Sequence, residues 1–300
     1  MKKLGLALLC ILSSCGLIKE SVKTDLSKPL VIVSASPYIK IVKEIAGDTF
    51  SVRSIIPPDV DPHNYEPSPK DMGPLSHTAL WIQVGEEFEY LLEKRLKETT
   101  PSIQILNLPS ITKVLHSSCK HHNHDHGRCN DAVDTHYWLD PLTVISQAKA
   151  ITEQLITIEP AKASYFKDNL AKMTQNLNTL NKELTKKLAP FHGDAFLTTH
   201  KAYGYFCNRY HLGQTGIEAD DGKEMRSKDI HKVVEWAKAN KENLIVILTQ
   251  PQHVNRAAQT IGKTLDLPLI SVNPYEEDYI LTINTLADIT VKYGKKSQVN

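Results

Sequence analysis

Residues 160–190 read PAKASYFKDNLAKMTQNLNTLNKELTKKLAP, and within them Phe166, Leu170, Met173, Leu177, Leu180, Leu184 and Leu188 recur every three or four positions. This is the spacing of a single apolar stripe on an α-helix, opened by Pro160 and closed by Pro190. At 1.5 Å per residue such a helix reaches about 43 Å, long enough to run down the side of two domains and join them. A coiled coil is the competing reading of the stripe, but no heptads continue before or after it, which favours packing within the molecule. A helix joining two lobes restricts them to small hinge motions, because bending it breaks backbone hydrogen bonds.

Outward from this helix the pattern changes to short β-branched runs separated by helical ones. Before it lie Leu30–Ser36, Ser51–Ile56, Ala79–Gly85 and Ile103–Leu108; after it lie Ala195–His200, Asn243–Gln250 and Leu267–Val272. That alternation predicts an α/β protein of two lobes, each a mostly parallel sheet flanked by helices. Helix ends are legible at Ser68-Pro69, at Gly47 after Tyr38–Ala46, and at Ser227 before Lys228–Asn240. The 300 residues exceed what one compact core usually spans. The division expected is a signal segment over 1–15, an N-terminal lobe over 16–158, the linking helix over 159–189 and a C-terminal lobe over 190–300. No internal repeat is visible.

With 35 Lys+Arg against 34 Asp+Glu the formal net charge is +1, which gives no electrostatic footprint for nucleic acid and no polybasic membrane patch. Lys2 and Lys3 precede an apolar stretch, Leu4–Leu12, too short to span a bilayer as a mature helix, so it reads as an export signal. It ends Leu12-Ser13-Ser14-Cys15-Gly16, which resembles a bacterial lipobox and makes Cys15 the expected lipidation site; a plain signal peptide cut nearby is the alternative. The mature chain is then extracytoplasmic and tethered to the membrane. In that setting disulfides are permitted. Cys119 and Cys129 flank one polar loop and admit either a local bridge or metal ligation, with Cys207 left buried and free.

The thirteen histidines fall into two groups. Five of them, His116, His121, His122, His124 and His126, stand within a His-rich tract, 116–129, that carries Gly, Asn and Asp and no apolar periodicity. Such a tract is solvated, and its neutral imidazoles bind zinc or copper weakly and exchange it fast, which suits acquisition. The others stand singly. His63 follows the Ser51–Ile56 run in PPDVDPHNYEPSP, His136 lies in DTHYWLDP, and His200 closes the run beginning at Ala195. Each stands at or just beyond the carboxyl end of a strand, where open α/β sheets bind ligands. Taken alone, any one of them is an ordinary surface or core histidine.

Together, the stretches 57–70, 134–141 and 199–206 resemble, in order and spacing, the three signature segments of the zinc/manganese-type periplasmic solute-binding proteins of ABC importers. The similarity covers essentially the whole mature chain, including the bridging helix and a His-rich loop just before the second signature. The resemblance implies two α/β lobes joined by one long helix, with the metal in the cleft between them. It implies that His63 and His136 come from the first lobe and His200 from the second. It further implies an ABC permease and its ATPase as partners, with the chain a monomeric carrier. Relatives specific for manganese carry a carboxylate where this chain has His200, and three imidazoles suit zinc's tetrahedral chemistry, so Zn(II) is the expected cargo with Mn(II) or Fe(II) as alternatives. The family's fourth ligand is an Asp before a Pro. Here Asn273 stands there, so either it binds weakly, or water or another carboxylate such as Glu66 completes the shell. Gln250 likewise replaces an acidic residue. Asp61, Glu66, Asp134 and Asp140 are near enough in sequence to orient the imidazoles, although Asp140 before Pro141 reads first as a helix N-cap.

Three histidines and an open water position also describe catalytic zinc. This sequence has no His-Glu-x-x-His helix, no phosphate loop and no nucleophile elbow, so no enzyme is expected. A zinc-binding surface lipoprotein that never meets a transporter is the remaining alternative.

Overall fold

The computed structural model describes residues 27–57, 60, 65–68, 75, 77–116, 133–217, 227–252 and 256–295. Its first half contains β1 (Leu30–Val33), α1 (Pro37–Ala46), β2 (Ser51–Ser54), β3 (Thr78–Gln83), α2 (Glu87–Thr99), β4 (Gln104–Asn107), β5 (Leu115–His116), β6 (Val133–Asp134) and α3 (Pro141–Ile158). The bridging helix is α4 (Ala163–Leu188). The second half contains β7 (Ala195–Thr198), α5 (Gly204–Arg209), β8 (Gly213–Gly216), α6 (Ser227–Ala239), β9 (Leu244–Thr249), α7 (Arg256–Leu265), β10 (Leu269–Ser271) and α8 (Tyr279–Tyr293).

Each half builds a four-stranded, all-parallel sheet, in the order β2-β1-β3-β4 and β10-β9-β7-β8. The inner strands β1 (LVIV) and β9 (LIVILT) are apolar almost throughout and buried, as strands covered on both faces must be. In both sheets the chain moves outward one way and then returns to the other side, so the order reverses between β1 and β3 and between β7 and β9. Loops leaving the carboxyl ends of strands at such switch points frame a crevice.

The helix expected over 160–190 is α4 with a short 3-10 turn at each end, Pro160–Lys162 and Ala189–Phe191. Its 26 residues span roughly 39 Å. Phe166, Met173, Leu177, Leu184 and Leu188 are buried, and Leu170 and Leu180 are half-buried against the same core. The stripe packs on α1 and α3 of the first half and on α8 of the second. Phe166 meets Phe50 at 6.0 Å between ring centroids, and the Asn169 side-chain amide donates to the Ile45 carbonyl at 3.0 Å. One buried cluster therefore runs from Val31 and Tyr38 through Trp138 and Leu177 to Val272 and Ile283.

Strands are shorter than the apolar runs suggest. β7 stops at Thr198, leaving Thr199 and His200 in the loop beyond, and β8 is a strand that the sequence GQTG does not announce. It is an edge strand paired only with β7, and its four residues are half-buried, so no apolar run marks it. The start expected at Ser227 falls at the first residue of α6, and Gly47, at positive φ, ends α1 as expected. Among the described residues no helix is long and apolar enough to cross a membrane. The signal segment, Cys15 and the helix start at Ser68-Pro69 lie wholly or partly outside them.

Because Leu177 is buried at the middle of the α4 stripe, Leu177→Ala is expected to cost about 2–5 kcal/mol in urea unfolding. The exposed Lys172→Ala is expected to stay within about 0.5 kcal/mol. Equal effects would mean the stripe is not the face that joins the halves.

Candidate metal centre

The two-residue ribbon of β5 and β6 pairs Leu115 with Asp134 and His116 with Val133, antiparallel. It joins residue 116 to residue 133, on either side of the segment 117–132, and delivers the chain directly to Asp134-Thr135-His136. The Tyr205 hydroxyl donates to Lys113 O at 3.4 Å and meets the Leu115 N–H at 2.9 Å, pinning the ribbon to the second half.

His136 is buried, at 2% exposure, so neither ring nitrogen has bulk water to satisfy it. Nδ1 lies 2.8 Å from Asp134 Oδ1, and the same oxygen accepts from the His136 backbone N–H at 2.9 Å. A carboxylate only accepts, so Nδ1 carries the hydrogen and Nε2 presents a lone pair. Nε2 lies 2.9 Å from the Tyr275 hydroxyl. The ring is surrounded by Trp138, Tyr275 and His200, with centroids at 5.4, 5.2 and 5.5 Å.

His200 stands two residues past β7, at the switch point of the second sheet, and is half-buried. Two imidazoles sharing one tetrahedral ion, with Zn–N bonds of about 2.0 Å, place their centroids roughly 5 Å apart. The 5.5 Å between His136 and His200 is close to that separation, although the residues are far apart in sequence and belong to different halves.

Asp134 is itself supported from across the cleft. Gly204, the first residue of α5, lies beneath it, and a Cβ there would run into Asp134 Oδ2 and Gln214 Nε2. The neighbouring Thr135 hydroxyl donates to Glu86 Oε1 at 2.8 Å. Beside Glu86, Glu89 accepts from the Val84 and Gly85 N–H groups at 2.8 and 2.7 Å. Burial pushes the Glu89 carboxyl up to about 7, with the Glu86 charge adding to the rise and hydrogen bonds from Ser34, Val84 and Gly85 opposing it.

The other expected residues are disposed differently. Asp140 caps α3, accepting from Leu142 N at 3.0 Å and from the Thr143 hydroxyl at 2.7 Å. It also receives a two-pronged contact from Arg209 Nε and Nη2 at 2.7 and 2.6 Å, so it ties the halves together, and among the described residues it orients no imidazole. Asn273 spends its amide oxygen on two donors, Gln252 Nε2 and the Tyr275 backbone N–H, both at 3.0 Å, so neither lone pair is left for an ion. Glu66 is exposed, and among the described residues no contact joins it to either imidazole. Gln250 is buried beside Tyr203. Cys207 is buried and free, and burial pushes its thiol up. His63, Asp61, His121, His122, His124, His126, Cys119 and Cys129 lie outside the described residues. Among those described, no three His, Cys, Asp or Glu side chains converge closely enough to hold an ion. The described residues thus bring the two imidazoles of His136 and His200 close together, with no third His, Cys, Asp or Glu placed to share an ion with them. Sequence reasoning did not single out Tyr275 or Arg209, because a lone aromatic on a loop and a lone arginine on a helix carry no ligand spacing.

The profile of a family described as zinc-uptake complex component A, periplasmic, matches residues 31–291. A Chlamydia muridarum protein named for metal binding is 28% identical over 283 residues, covering 93% of this chain and 97% of its own length. The high-affinity zinc uptake system protein ZnuA of Yersinia pestis is 25% identical over 292 residues, covering 90% of this chain and 91% of its own. A crystal structure of ZnuA superposes with a TM-score of 0.80 at 25% identity, over 89% of this chain and 100% of that one.

If Asp134 fixes the working nitrogen of His136, Asp134→Ala lowers zinc affinity by roughly 10–100-fold in a chelator competition. Gly204→Ala, which displaces the same carboxylate, shifts it in the same direction. Unchanged affinity in both variants would remove Asp134 from the site.

Proposed function

This chain belongs to the family of periplasmic component A of zinc-uptake complexes, and we propose that its cargo is Zn(II), held between the two lobes and passed to an ABC permease. At the coarser level it is a metal-binding solute-binding protein of ABC importers, a carrier and not an enzyme. The observation that carries the finer reading is the pairing of His136 and His200, two imidazoles from different halves of the chain with ring centroids 5.5 Å apart.

His63, which follows β2 in the sequence, is the third imidazole of this reading. Three neutral imidazoles suit a borderline-soft, four-coordinate ion better than a hard one that takes six oxygens, which favours zinc over manganese. His116, His121, His122, His124 and His126 collect ions for the cleft, and the ribbon strand that follows their segment ends two residues before His136. Cys15 carries the lipid that keeps the chain at the membrane. Capture involves no bond-making beyond coordination. The imidazoles take the ion in neutral form, and the permease releases it by a small movement of one lobe against the other. A large movement would open the buried cluster that the lobes share.

Protein purified without added metal should contain zinc on elemental analysis and prefer zinc over manganese and iron in competition. Affinity should fall below about pH 6 as protons compete for the imidazoles, and constant affinity between about pH 5 and 8 would contradict an all-imidazole shell. His136→Ala should abolish tight binding, whereas deletion of 116–126 should mainly slow or weaken uptake at scarce metal. Equal loss from both would place the principal site in the loop.

A further inference from the structure

We propose that Tyr275 is the fourth side chain on the cargo ion, its phenol oxygen taking the place left by Asn273; this rests on the metal-carrier reading above. Asp134 holds Nδ1 of His136, so Nε2 is the nitrogen that faces the ion, and Tyr275 Oη is 2.9 Å from that nitrogen. Two donors on one tetrahedral ion, with bonds of 2.0–2.1 Å, stand about 3.3 Å apart. Oη and Nε2 therefore need to separate by a few tenths of an ångström, and Oη to shift aside from the Nε2 lone pair it now faces, for both to reach the same metal, the O–H rotating away from Nε2 with its proton retained while an oxygen lone pair turns to the ion.

The oxygen is held where it is. Tyr275 is 6% exposed, and its ring packs against Trp138 and His136 at 5.4 and 5.2 Å. Its backbone N–H donates to Asn273 Oδ1 at 3.0 Å, its carbonyl accepts from the Ser36 hydroxyl, and the preceding Pro274 carbonyl accepts from Trp138 Nε1 at 2.7 Å. The residue at the family's carboxylate position thus fixes the loop that carries Tyr275. A donor preset in this way loses little freedom on binding.

The exchange has a consequence for metal choice. A carboxylate can bind through two oxygens and so serve ions of high coordination number, whereas a phenol offers one oxygen on a rigid ring. Three imidazoles and one such oxygen make a four-coordinate shell, which fits zinc and penalises manganese.

Tyr275→Phe keeps the ring and removes only the oxygen. Zinc affinity is expected to fall by roughly tenfold or more. The visible bands of the Co(II)-loaded protein should shift, and the preference for zinc over manganese should narrow, with the Tm of the metal-free protein as the folding control. Unchanged zinc affinity with unchanged Co(II) bands would leave Tyr275 a packing residue and overturn the assignment. So would tighter zinc binding, which would show the hydroxyl competing for Nε2. If the variant folds poorly, the ultraviolet difference spectrum of wild-type tyrosine on zinc addition decides: a change saturating at one equivalent supports the assignment, and a flat spectrum contradicts it. Loss of zinc in His136→Ala but not in Tyr275→Phe removes Tyr275 alone, whereas a wild type that takes up no zinc removes the carrier reading and this proposal with it.

Discussion

Two parallel sheets built from separate halves of a chain keep a fixed separation only if something buried spans the gap between them. Here the span is continuous. α4 presents its apolar stripe to α1 and α3 on one side and to α8 on the other, and Trp138, fully buried, donates its indole N–H to a carbonyl of the second half at 2.7 Å. The Asp140–Arg209 pair and the Tyr203 hydroxyl on Val272 O, at 2.9 Å, tighten the second half around the same seam. Interiors packed to this degree deform little, because opening them exposes apolar surface without compensation. The distance between strand ends is therefore a property of the core.

That rigidity matters because imidazole is a short ligand. Coordination at about 2 Å leaves little room for error, and a site whose supporting groups are loose by about 1 Å loses most of its value. His136 is clamped at both nitrogens, by Asp134 from its own loop and by Tyr275 from the opposite half. Asp134 in turn rests on Gly204, a residue with no side chain to push it away. The ring position of a first-half residue is thus set from both halves, and the contact it makes across the seam senses any relative movement of the lobes. Such sensitivity is useful in a carrier that must bind tightly and then let go.

Much of this is legible in the sequence. The stripe from Phe166 to Leu188 announces α4, because a 3.6-residue period survives whatever it packs against, and the inner strands show themselves as unbroken apolar runs. The edge strand β8 does not, since GQTG buries too little to need apolar residues. His136 and His200 stand out only through the resemblance of the segments around them to a family's signatures, since a lone histidine after a strand is ordinary, whereas Asp140 is recognisable as a helix cap by the proline that follows it. The contacts that give the site its geometry are not legible. Tyr275 reaches His136 across 139 positions and Arg209 reaches Asp140 across 69, and neither pairing leaves a spacing that local reasoning can read. Asn273 illustrates the converse: its place in the chain suggested a weak ligand, whereas its hydrogen bonds make it a turn-former.

Convergence of three separated imidazoles on one zinc ion is the claim beneath every functional statement, and X-ray absorption at the zinc edge tests it most directly. The sample should be protein lacking 116–126 and loaded with one equivalent of zinc, so that the five histidines of the tract cannot contribute. The account predicts a four-coordinate first shell with imidazole scattering from three rings at about 2.0 Å and one oxygen. Sulfur in the first shell, a single imidazole, or a six-oxygen shell would contradict it.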